Sequence, residues 1–118
     1  MPCRKKTLYV IAIAAIVGSI ALSRPVRAAD ATPAAAVSFS DGHFAPAKLT
    51  VPANQPFKVR VTNSGKTAIE FESFDLHRER VVRPGQTITV YMGPAAPGHY
   101  SFCDDFDHRV AAGAIEAR

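Results

Sequence analysis

Tryptophan is absent from the 118 residues and cysteine occurs only twice. No stretch of ten residues keeps apolar side chains at the 3.6-residue spacing of an amphipathic helix. Also missing are an HExxH zinc signature, the alternating acids and central glycine of an EF-hand, and any internal repeat. These gaps exclude a helical bundle, a disulfide framework and the commonest zinc and calcium sites, and the length allows one small domain. Arg4, Lys5 and Lys6 precede an apolar run from Leu8 to Leu22, and Val26, Arg27, Ala28 and Ala29 follow it with small residues. That order reads as a signal peptide over residues 1–28, cut after Ala28, which sends the protein to the periplasm. An uncleaved anchor is the alternative, because a run of about 15 residues lies near the lower limit for crossing a bilayer. Cleavage removes five of the 14 Lys and Arg and none of the 10 Asp and Glu, leaving a net charge of −1. The basic excess that would suit nucleic acid goes with it. Cys3 leaves too, so Cys103 stands alone and the domain must be held by its core or by a bound ion.

Residues 29–36, with three consecutive alanines at the end, read as a flexible leader before a domain over 37–118. Phe57, Val59 and Val61 then alternate with Lys58, Arg60 and Thr62, the period of a strand with one wet face. Ile69 and Phe71 against Glu70 and Glu72 repeat the pattern, as do Ile88 and Val90, and Tyr100 and Phe102. Turn residues separate these runs at Pro52 to Pro56, Asn63 to Gly65, Pro84 and Gly85, and Pro94 to Gly98. The spacing predicts an antiparallel all-β sandwich or barrel of seven or eight strands near 37–41, 48–51, 57–63, 68–73, 80–82, 86–92, 98–103 and 112–117.

Chemistry concentrates after the strand ending near 103. Asp104, Asp105 and Asp107 crowd three carboxylates into four residues beside His108, and either a cation or full solvation must offset their repulsion. Glu70 and Glu72 share the polar face of their strand and read either as a solvent-facing pair or as partners of that acidic turn. His99, Cys103, His108 and Met92 supply in name the two His, one Cys and weak Met of a blue-copper centre. Strand parity opposes it: Tyr100 and Phe102 face the core, so Cys103 faces away and Asp104 faces in. Cys103 otherwise reads as a small half-buried residue, and His43 and His77 as turn histidines.

The runs Phe44 to Ala53, Val61 to Asn63, Glu70 to Ser73, Pro84 and Gly85, and Pro97 to Phe102 resemble a cupredoxin-like domain. More narrowly, they are similar to the EfeO-type domains of bacterial periplasmic iron-uptake systems, over about residues 37–118. The resemblance implies a Greek-key β-sandwich with a metal site at one end. It matches Glu70 to a histidine ligand of ordinary blue-copper relatives, and Asp104 to their cysteine ligand. The implied set is Glu70 and Asp104 with Asp107, His108 or both, and Glu72, Asp105, His99, Cys103 and Met92 are lesser candidates. Carboxylate and imidazole donors suit Cu(II), Fe(II) or Fe(III). The leading expectation is an exported protein that binds copper or iron and supports ferrous-iron uptake by assisting Fe(II) oxidation or delivery. Its partners would be a periplasmic iron-binding protein and an inner-membrane iron permease. A type-1 copper electron carrier using Cys103 and a metal-free docking module are the alternatives.

Overall fold

The computed structural model describes residues 31–118, so the signal-peptide reading of 1–28 lies outside the described residues. Among the described residues the chain forms nine strands: β1 (Ala34–Ser40), β2 (His43–Ala45), β3 (Lys48–Val51), β4 (Phe57–Asn63), β5 (Ile69–Ser73), β6 (Arg78–Val82), β7 (Thr87–Met92), β8 (Gly98–Asp104) and β9 (Gly113–Ala117). One sheet runs β2-β1-β4-β7 and the other β3-β9-β8-β5-β6. The chain passes back and forth between them, with β1 parallel to β4 and β3 parallel to β9. This is the all-β Greek-key sandwich expected, with one strand more than the higher count, but both sheets are mixed where antiparallel pairing was expected, because β1 and β3 each lie beside a strand that runs the same way.

Alternation explains the layers. Phe57, Val59 and Val61 of β4 and Ile69 and Phe71 of β5 are buried, while the residues between them are exposed or half-buried. Phe44, Phe71 and Phe102 join the sheets through edge-on and tilted rings, with centroids 5.1 Å apart for Phe44 and Phe102 and 5.3 Å for Phe71 and Phe102. Gly113 lies directly beneath the Phe102 ring, where an added Cβ would overlap buried ring carbons. Gly113→Ala is therefore expected to destabilise the domain by about 1–3 kcal/mol, the usual cost of overpacking a filled core, measured by urea unfolding.

Two further expectations need correction. The strand read as starting at 37 begins at Ala34, so residues 34–36 are not leader: Ala34 pairs with Lys58, Ala35 with Val59 and Ala36 with Arg60. Backbone pairing orders this segment although its side chains carry no amphipathic contrast. β2 was not expected at all; it forms because Asp41 (φ 50°) and Gly42 (φ 74°) both take the left-handed conformation of a two-residue hairpin turn.

Candidate metal centre

Register decides which acids can meet. Phe71 of β5 stands opposite Asp104 of β8, and Glu72 stands opposite Cys103. Phe71 and Asp104 are buried, so that pair faces in. Glu72 and Cys103 form the outward pair, and Glu70, two residues from Glu72, shares their face.

That outer face gathers four carboxylates, Glu70, Glu72, Glu79 and Asp105. Glu72 also stands opposite Glu79 of β6, so Glu79, Glu72 and Cys103 form one row across three strands. In the next row Glu70 has Val81 on one side, and on the other the Asp105 N–H donates to the Glu70 carbonyl at 2.9 Å. His108 joins at the margin, its Nε2 3.6 Å from Asp105 Oδ1, and Cys103 Sγ lies 4.0 Å from Glu72 Oε2. The crowding is felt in the protonation equilibria. Partial loss of hydration and then the charges of Glu79, Asp105 and Asp104 push Glu70 above the ordinary carboxylate pKa. Glu72 is pushed up by desolvation, by the Asp105 charge and hydrogen bond, and by Glu79 and Glu70. Desolvation with the Glu72, Asp105 and Asp104 charges raises the Cys103 thiol.

The resemblance-derived set Glu70, Asp104, Asp107 and His108 is not brought together. Asp104 faces the interior and its Oδ1 is engaged, accepting from Glu70 N–H at 2.9 Å and Phe106 N–H at 3.0 Å. Asp107 is clasped by Arg109 through two contacts of 2.8 Å, Nε to Oδ1 and Nη2 to Oδ2, which lower its pKa to about 2. In Arg109→Ala the Asp107 carboxyl carbon is expected to titrate higher by NMR, moving toward the ordinary 3.8 but staying below it, because the backbone N–H of residue 109 still donates to Oδ1. Glu70 and His108 stay with the outward group, joined by the lesser candidates Glu72, Asp105 and Cys103.

A blue-copper donor set does not fit. Cys103 faces outward, as parity predicts, while Met92 is buried on β7 of the other sheet. His99 sits four residues back along β8, opposite Glu116 of β9. Among the described residues, no group of three or more His, Cys, Asp or Glu side chains is set to hold a metal as it stands. The outward acids are thus a surface grid whose side chains must turn to share an ion. Glu79 escaped the sequence reading because β6 is an edge strand with little alternation; only its register against β5 reveals it.

Known proteins resemble this arrangement of strands. A purple cupredoxin from Nitrosopumilus maritimus superimposes with a TM-score of 0.56 at 16% identity, covering 71% of this chain and 99% of that one. Auracyanin from Roseiflexus castenholzii gives 0.60 at 14% identity, covering 74% and 98%. An uncharacterized protein of Rickettsia prowazekii (strain Madrid E) is 35% identical over 79 residues, which is 67% of this chain and 63% of the relative, so less than two thirds of the relative's length is spanned. The family model described as the cupredoxin-like domain matches residues 10–116. With that match and the two-sheet fold, the chain belongs to the cupredoxin-like domain family.

Proposed function

We propose that this chain is an exported, cation-handling member of the family that carries Fe(II) or Cu(II) as cargo in a ferrous-iron uptake system of the EfeO type. The observation that carries the reading is the outer-face grid of Glu70, Glu72, Glu79 and Asp105, with Cys103 and His108 at its edges. Like charges opposite one another on adjacent strands destabilise a sheet, and a cation between them turns that repulsion into attraction. Carboxylate and imidazole donors suit Fe(II), Fe(III) and Cu(II), and the anionic oxygens favour the ferric charge. Glu79, Asp105 and His108 are exposed, which suits an ion received from a periplasmic iron-binding protein and passed to an inner-membrane permease.

Calorimetric titration of the full chain with Cu(II), and with Fe(II) under anaerobic conditions, tests the reading. Saturable binding is expected, weakened at least about tenfold in Glu72→Gln, since even outer partners of a metal act on that scale. Absence of binding by either ion, or equal affinity in the variant, contradicts it. A second reading, a metal-free docking module, draws on the exposed Val81 and Phe106 beside the acids. It predicts no cation binding and saturable association with a basic partner surface.

A further inference from the structure

On the inner side of the same strand end, Asp104 lines a cavity of about 550 Å³. The residue is only 3% exposed. Its Oδ1 holds the Glu70 and Phe106 amides, while its Oδ2 takes no hydrogen bond among the described residues. No wholly buried side-chain oxygen of the described residues lacks a partner, so Oδ2 keeps a small contact with solvent, and the cavity that Asp104 lines is where that contact is available. An anionic oxygen held almost out of water calls for a positive counterpart.

The other lining groups narrow its chemistry. Phe39, Phe106 and Val110 supply apolar wall, and Asp41 and Lys66 stand among the polar lining. Asp107 lines the cavity too, but its charge is already answered by Arg109. We propose that this cavity binds an organic cation, an ammonium or guanidinium group on an alkyl stem, with the charged head on Asp104 Oδ2 and the stem along the Phe39 and Phe106 rings. A metal ion needs several converging donors; an alkylammonium needs one carboxylate, and gains from aromatic faces and from burial of its methylenes. The volume lies within the ordinary range for small-molecule sites, roughly 300–1,000 Å³. Lys66 repels the incoming charge, so its removal tightens binding. The site is separate from the outer grid, and neither proposal depends on the other.

Amide NMR of the full chain during titration with n-butylamine, as a free amine, and N-acetyl-arginine amide, as a side chain offered by a polypeptide, tests the proposal. The Glu70 and Phe106 amides, which donate to Asp104, are expected to shift and saturate with at least one probe, and the tighter probe identifies the source. Asp104→Asn keeps a side-chain oxygen for those two amides and is expected to weaken binding about tenfold or more, the value of a charge-assisted hydrogen bond. In the unaltered chain, 1-butanol should cause no saturable shift, and Lys66→Ala should lower the Kd for the amine. Shifts produced equally by 1-butanol, no saturable shift with either amine probe, or unchanged affinity in a folded Asp104→Asn protein would overturn the proposal.

Discussion

Asn63→Ala is expected to lose about 3–5 kcal/mol of stability, because three backbone groups, one of them on fully buried Val82, lose their side-chain partner together. Asn63 has no exposed surface. Its Nδ2 donates to the carbonyls of Thr67 at 2.8 Å and Val82 at 2.9 Å, and its Oδ1 accepts from the Gly65 amide at 2.9 Å. One side chain at the end of β4 therefore ties the 64–68 loop to itself and the first sheet to β6 of the second. Alanine offers none of these contacts, and the carbonyl of fully buried Val82 is left without a donor at the seam between the sheets. For a domain of this size the melting temperature should fall by roughly 12–40 °C, measured by circular dichroism. A change below a few degrees would mean that the loop and the seam hold without the amide. The same loop leads into Ile69 and Glu70, so the variant should also broaden the Glu70 amide signal.

The second large effect lies on the outer face. Replacing both Glu70 and Glu72 by Gln should reduce Cu(II) affinity on the order of a hundredfold or more, yet make the metal-free protein harder to melt at pH 7. The second half follows from the raised pKa values of both carboxyls. A carboxyl that binds its proton more tightly when folded than when unfolded weakens the fold wherever it is ionised. Stability then recovers as pH falls from neutrality through the folded pKa toward the ordinary 4.5. Asp107 and Glu116 act oppositely: Arg109 lowers the first and the Lys48 ammonium the second, so their contribution is present above their ordinary values and lost below them. Metal-free protein should accordingly melt highest in mildly acid solution. The double variant should lose the rise that accompanies acidification from neutrality toward 4.5; retention of that rise would assign it to other groups.

Much of the fold is legible because alternation and turns agree. β4 was expected at 57–63 and spans Phe57–Asn63, and the inward aim of Asp104 follows from counting along β8 from Phe102. β2 is three residues long with a single buried side chain, so no period can announce it, although Asp41-Gly42 carries the turn signal. The candidate site was only half legible. Parity puts Glu70 on the wet face, and the residues left it either solvated or partnered with the acidic turn; the resemblance joined it to Asp104 in particular. The register that separates them is a contact between segments more than 30 residues apart, which no local pattern encodes. Glu79 lies on an edge strand with exposed Arg80 and Val81 beside it, where a solvated charge and a ligand look alike.

Paramagnetic broadening of amide signals by sub-stoichiometric Cu(II) locates the ion directly. The account predicts loss of the Glu70, Glu72, Cys103 and Asp105 signals before those of Gly65 and Lys66, with the effect removed in the Glu70→Gln, Glu72→Gln double variant. Broadening centred on Gly65 and Lys66, or scattered over the surface and unchanged in that variant, would contradict it.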